Sequence, residues 1–222
     1  MKAAWTIFVK DLRVEWRSRE AALSMCVFGI LVVFLFNFSF TGGREETLRM
    51  LPGLLWIAFA FAGILGFNRS FAAERENSCL EALTLAPIDP SAIFVGKLLA
   101  NLVFLGVAEG VMVFVAALWY NFSFVPSLGS FATIVFFGTL GYAALGTIFG
   151  AVAANTRMRE VMLPVLQFPV AFWILVLASD ASSDALRGAE WTVVRGGIER
   201  VAAVSLVFTV AAFLLFEYVL EE

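Results

Sequence analysis

Chemistry needs acids, bases, nucleophiles or metal ligands within reach of one another, and this chain of 222 residues offers few of them. It has no histidine, which removes the commonest metal ligand, haem ligand and general base together. Its two cysteines, Cys26 in an apolar run and Cys79 in a polar stretch, are too far apart and too differently placed to predict a disulfide or a metal-ligand spacing. The one carboxylate deep inside an apolar run is Glu109. A charge at the centre of a membrane helix costs about 2.5–3.5 kcal/mol, so such a residue faces protein or water. Two readings of Glu109 stand. It is a polar point on a translocation path or a proton-coupling carboxylate, or it is a protonated, hydrogen-bonded contact between helices beside Gly106 and Gly110. The second is the stronger, because a relay needs a second intramembrane acid or a histidine and none accompanies it.

Phosphate chemistry is equally thin. Gly96-Lys97 is followed by Leu98, and Ser91 stands where the first glycine of a nucleotide-binding loop would be. ATP hydrolysis by that route is excluded, so a powered machine takes its motor from another polypeptide. With no nucleophile–base pair and no metal cluster, a membrane enzyme is the weakest class. A net charge of −3 supplies no basic field for nucleic acid.

The polar residues sit in a chain that is 61% hydrophobic, with a mean hydropathy of +0.92, well above the usual apolar share of a soluble domain. Six apolar segments, about 21–40, 51–67, 98–119, 131–154, 161–178 and 201–220, are each long enough to cross a ~30 Å hydrocarbon core. Together they predict one transmembrane domain over 1–222. Pro52, Pro164 and Pro169 predict kinks or broken ends in the second and fifth spans. Ahead of the spans, residues 3–20 are too charged to cross. Trp5, Phe8, Val9, Leu12 and Trp16 fall on one helical stripe, which predicts an amphipathic interfacial helix in the headgroup plane; an ordinary polar lead-in helix is the alternative. The charges of this region and the lack of a small-residue cleavage site argue against a cleavable signal peptide.

Orientation follows from lysine and arginine near the span ends. Lys2, Lys10, Arg13, Arg17, Arg19, Arg69, Arg75, Lys97, Arg157 and Arg159 fall on the side of the amino terminus; Arg44, Arg49, Arg187, Arg195 and Arg200 fall on the other. The excess predicts both termini in the cytoplasm. Residues 68–97 are then cytoplasmic, the one long polar interruption that reads as ordered. Opposite them, residues 41–50 and 121–130 are short turns, with Gly42, Gly43, Pro126 and Gly129 as turn residues. Residues 179–200 are longer and mixed, with Ala185, Leu186, Ala189, Trp191 and Val194 predicting a short helix on the membrane surface.

Small residues one turn apart, Gly106 with Gly110 and Gly146 with Gly150, joined by Gly138 and Gly141, permit close helix approach. Packing inside one subunit is their simpler role; a glycine-lined dimer seam in the fourth span is the other. The turn Asn155-Thr156-Arg157-Met158-Arg159-Glu160 reads as a solvated anchor, or as a minor second contact for a soluble partner.

These features, taken in order, resemble the CcmB family, the permease subunit of the haem-exporter-type ABC transporter of cytochrome c maturation. The resemblance rests on Lys10-Asp11-Leu12-Arg13-Val14-Glu15, on Pro52-Gly53 with Trp56, and on Leu80-Glu81-x-Leu83-x-Leu85-x-Pro87 with Lys97 ten residues on. The glycine-rich fourth span and Leu163-Pro164-Val165 also match, whereas Asn77-Ser78 stand where the family has Asp-Gly.

The resemblance implies an all-α, ABC exporter permease-like protein that forms a dimer with two copies of a cytoplasmic ATPase, CcmA. It implies association with the haem-handling membrane protein CcmC and the small protein CcmD, and ATP hydrolysis linked to release of haem-loaded CcmE, the periplasmic chaperone. ATP would then sit on the partner, haem on other subunits, and no cofactor on this chain. In that scheme residues 78–86 form a coupling helix in a groove of the ATPase, with Leu80, Leu83 and Leu85 as anchors and Glu76 and Glu81 at the rim. Pro87 and Pro90 would pass its motion to the second and third spans. The alternative is an unpowered secondary carrier or membrane scaffold using Glu109.

Overall fold

The computed structural model describes residues 2–39, 44–76, 89–121, 124, 127–154, 156 and 158–221, and the statements below concern these. They form seven α-helices and, among the described residues, no strand. Helix α1 is Lys2–Ser18, α2 Glu20–Ser39, α3 Arg44–Glu76, α4 Pro90–Trp119, α5 Leu128–Ala154, α6 Arg159–Leu186 and α7 Trp191–Glu221. Helices α2 to α7 are long and apolar enough to cross a membrane, as the six apolar runs require.

Helix α5 is the hub. It packs against α3, α4, α6 and α7, while α2 lies outside against α3 and α4. Its glycines let bulky neighbours in. The Trp56 ring fills the notch at Gly138, the Phe67 ring fills that at Gly146, and the Ser205 backbone closes on Gly141, where an added Cβ would lie 2.8 Å from Cα of Ser205. Gly150 is buried on the same helix. These notches are filled from α3 and α7 of the same chain, so a dimer seam lined by Gly138, Gly141 and Gly146 does not fit the packing. Gly106 and Gly110 differ again: a Cβ at either would meet nothing within 4 Å. They lie on the outer face of α4 with exposed Val103 and Val107, and they bring no helix of this chain close.

The apolar side chains turned outward form long stripes, such as Leu23, Val27, Leu31 and Leu35 on α2 and Leu206, Val207, Val210 and Leu214 on α7. In a bilayer these meet lipid tails, which is why hydrophobicity alone marked all six runs.

Three sequence expectations need correction. Pro52 lies inside α3 and Pro164 and Pro169 inside α6, and both helices run on through them, so the broken ends do not occur. The helix that carries the third span starts at Pro90, eight residues before the apolar run begins at Leu98, which draws Lys97 from the polar segment into helix α4. Residues 179–200 form no separate surface helix. Helix α6 runs on to Leu186 and α7 begins at Trp191, because small residues hold the two together past the apolar run; a Cβ at Gly197 would sit 2.9 Å from Cβ of Ala181. The turn between them is closed by Gly188 at φ 71°, with Ala189 N–H donating to Asp184 O (3.0 Å) and Gly188 N–H to Ala185 O (3.3 Å). That is the left-handed C-terminal cap that glycine favours.

Candidate functional site

The polar groups described inside the bundle make hydrogen bonds between helices. Thr139 Oγ1 on α5 donates to Glu109 on α4, 2.7 Å from Oε1 and 2.9 Å from Oε2. Glu109 is 4% exposed, and Thr139 is its only hydrogen-bond donor among the described residues. Asn101 Nδ2 donates to Thr147 Oγ1 (3.0 Å), again joining α4 to α5. Tyr142 Oη donates to Ala60 O (2.6 Å), Gln167 Nε2 to Tyr142 O (3.3 Å), and Trp56 Nε1 to Ser182 Oγ (3.0 Å), which ties α3 and α6 into the same core. No group of three or more His, Cys, Asp or Glu side chains that could hold a metal ion occurs among the described residues.

A denser polar constellation lies at the end of the bundle where α1, α2, α3 and α4 meet. Its centre is Lys97, 1% exposed and eight residues into α4. Its Nζ lies 2.9 Å from Asp11 Oδ2 on α1 and donates to Ser70 O on α3 at 3.4 Å. Asp11 also receives Lys10 Nζ at 3.1 Å on Oδ1. An ion pair taken out of water needs further polar contacts, and here Lys10 on α1 and the Ser70 carbonyl on α3 stand beside it.

Two features let α1 come close enough. At Gly96 a Cβ would lie 2.8 Å from the Ala4 carbonyl oxygen and 2.9 Å from Cβ of Ile7, so only glycine fits beneath α1. Ala4, Ile7 and Asp11 recur at helical spacing and present one face to α4. The elbow between α1 and α2 is fixed beside this: Arg19 takes φ 56°, and Ala22 N–H donates to Glu15 Oε1 at 2.8 Å, satisfying a free amide at the start of α2. Arg69 on α3 pairs with Glu20 at the start of α2.

Helix α4 has its own start signal. Asp89 caps it, its Oδ1 accepting from Ser91 Oγ at 2.6 Å and Ser91 N–H at 2.9 Å, with Pro90 in the first position. Those hydrogen bonds, the side-chain one first, hold the Asp89 carboxyl below its ordinary value.

The residues singled out in the sequence are distributed around this end. Trp5 and Trp16 are 63% and 78% exposed on α1, with Phe8 and Leu12 half-buried beside them. Their stripe lies beside the face of Ala4, Ile7 and Asp11, which is the one that packs on α4. Glu76 is in the last turn of α3, and its side chain is outside what the structure describes. Leu80, Glu81, Leu83, Leu85 and Pro87, together with Asn77, Ser78 and Cys79, lie outside the described residues. So do Asn155 and Arg157.

What sequence reading missed is the Asp11–Lys97 pair and the Gly96 contact. A lysine beside an apolar run reads as an end anchor, and its partner is 86 positions away. The signal that existed was Ala4, Ile7 and Asp11 on one side of a helix whose marked stripe lies elsewhere.

Comparison with known proteins follows the same ends of the chain. The family model described as CcmB protein matches residues 2–216. Heme exporter protein B of Bradyrhizobium diazoefficiens is 26% identical over 188 residues, covering 85% of this chain and 84% of the relative. Heme exporter protein B of Rhodobacter capsulatus is 27% identical over 183 residues, 82% of this chain and 81% of the relative. The Pseudomonas aeruginosa protein of that name is 25% identical over 185 residues, again 82% and 81%. The family match takes in α1 with its Asp11, α4 with its Lys97, five spans whole and the sixth as far as Phe216, and this multi-pass membrane chain belongs to the CcmB family.

Proposed function

We propose that the chain is the membrane permease subunit of a haem-exporting ABC transporter of cytochrome c biogenesis and is not itself catalytic. The motor is a separate cytoplasmic ATPase of the CcmA kind. It docks on residues 68–97, with Leu80, Leu83, Leu85 and Pro87 as apolar contacts and Glu76 and Glu81 at their rim. ATP stays on that subunit. Haem is handled by a CcmC-like membrane partner, a small CcmD-like membrane protein joins the complex, and the output is release of a haem-loaded CcmE-like chaperone outside the cytoplasm. Two copies of the chain serve one complex, both termini of each facing the cytoplasm of the inner membrane.

The observation that carries this reading is the buried Lys97. The segment between α3 and α4 leaves α3 at Glu76, six residues past Ser70, and enters α4 at Pro90, seven residues before Lys97, and Lys97 binds both Ser70 O and Asp11. A push on the intervening residues therefore reaches α1, α3 and α4 through one cation instead of dissipating in slack chain. That is the layout a transmitted motion needs. Naming of the relatives as heme exporter protein B supports the cargo class.

The test is co-purification of the partner ATPase with Leu83→Asp. Binding is expected to fall at least tenfold, and undiminished binding with ATP-dependent activity would remove the coupling role. The alternative, an unpowered carrier or scaffold using Glu109, makes the opposite demand: Glu109→Gln would abolish transport, and transport would need no ATPase.

A further inference from the structure

Helix α1 has three faces with different surroundings. Ala4, Ile7 and Asp11 lie against α4. At 100° per residue, Trp5, Val9, Leu12 and Trp16 make the next face and Lys2, Thr6, Arg13 and Arg17 the third. Arg13 and Arg17 are exposed, one turn apart, and neither has an ion pair among the described residues. Between the second and third faces opens a hollow of about 440 Å³ lined by Trp5, Val9, Lys10, Arg13 and Arg17.

The depth of this face in the membrane is set by α4. Its 30 residues reach about 45 Å at 1.5 Å each, some 15 Å more than a ~30 Å hydrocarbon core. The charged Asp11–Lys97 pair belongs to the excess, so the first turns of α4 stand in the headgroup zone. Helix α1, seated on Gly96 and Lys97 and joined directly to the span α2, lies at that same level.

We propose that the third face of α1 is a binding surface for anionic phospholipid, with Arg13 and Arg17 taking the headgroup phosphate and Trp5 and Trp16 seated beside it at the water–lipid boundary. The occupant follows from the chemistry. Two guanidinium groups one turn apart, neither ion-paired among the described residues, suit a phosphate, which they bind through paired N–H donors. Amphipathic tryptophan next to arginine is the pairing that lies in a bilayer interface and gains from anionic lipid. The surface is separate from residues 68–97, and its failure would leave the coupling reading untouched.

The test uses the full-length chain reconstituted in phosphatidylcholine vesicles that contain a minor fraction of brominated lipid, either phosphatidylglycerol or phosphatidylcholine. Bromine quenches nearby tryptophan, and the α1 signal is the part lost in Trp5→Phe/Trp16→Phe. Brominated phosphatidylglycerol is expected to quench it more strongly, with the preference falling roughly fivefold for each of Arg13→Gln and Arg17→Gln. Arg13→Lys/Arg17→Lys should keep most of the preference, and unchanged emission from buried Trp56 reports an intact bundle. Equal quenching by the two lipids, or a preference that survives Arg13→Gln/Arg17→Gln, would overturn the proposal. So would loss of quenching by both lipids on adding the partner ATPase, which would assign this face to a protein.

Discussion

Lys97 Nζ lies 2.9 Å from Asp11 Oδ2, in a site where the two side chains are 1% and 10% exposed, and this contact binds the first helix of the chain to the fourth. Removing one member leaves a buried charge without its partner, which costs about 3–5 kcal/mol in comparable sites. Lys97→Met is therefore expected to lower the thermal midpoint of the purified chain by several degrees. Asp11→Asn should cost at least as much, because it leaves the Lys97 cation buried with only the Ser70 carbonyl at 3.4 Å, whereas Lys97→Met leaves Asp11 its Lys10 partner. The exchange Asp11→Lys/Lys97→Asp should recover part of the loss, and no recovery would mean the two act independently.

Gly96 and Gly106 make a matched pair on the same helix. Gly96→Ala places a methyl 2.8 Å from the Ala4 carbonyl oxygen, so α1 must lift off α4; a loss of about 1–3 kcal/mol is expected. Gly106→Ala meets nothing within 4 Å and should be neutral or stabilising by up to about 1 kcal/mol from helix propensity. Thermal unfolding in one detergent compares the two, and equal effects would contradict the close approach of α1.

Glu109 and Thr139 form an interhelical hydrogen bond. Such bonds within membranes average about 0.6 kcal/mol and reach about 1.7, so Thr139→Val should cost an amount in that range. Glu109→Gln keeps an oxygen acceptor and should keep both stability and ATP-dependent activity. Loss of activity in a well-folded Glu109→Gln protein would move the carboxylate from a structural to a functional role.

Asp89 gives the start of α4 a pH dependence. Its carboxyl is held below 3.8, the ordinary value, by the hydrogen bonds from Ser91, so the cap's contribution is complete above about 3.8 and is lost as pH falls through the lowered value. Amide exchange at Ser91, Ala92 and Ile93, corrected for intrinsic rates, is expected to accelerate on acidification through that window. Asp89→Asn should flatten the response; an unchanged profile would mean the fraying has another cause.

The spans were legible because lipid demands long apolar helices, and nothing else about those runs had to be inferred. The polar ends were less so. The continuous α6–α7 hairpin was hidden by the mixed composition of residues 179–200, although Gly188 directly after Leu186-Arg187 was a readable stop signal. The packing sense of the glycines was readable only by type: Gly138, Gly141 and Gly146 receive Trp56, Ser205 and Phe67, while Gly106 and Gly110 receive nothing, and spacing alone does not tell these apart. The stripe of Trp5, Phe8, Leu12 and Trp16 was visible, whereas the neighbouring face, where Asp11 meets Lys97, carried no such mark. A pair joining positions so distant in sequence has no local periodic signature.

The coupling account is tested most directly by counting haem-chaperone molecules released per ATP hydrolysed in the reconstituted complex, with Lys97→Met and the exchange Asp11→Lys/Lys97→Asp beside the unaltered chain. The account predicts that Lys97→Met still binds the ATPase and still permits hydrolysis, while release per ATP falls at least tenfold and the exchange restores a substantial part of it. A ratio that stays the same in Lys97→Met would contradict it.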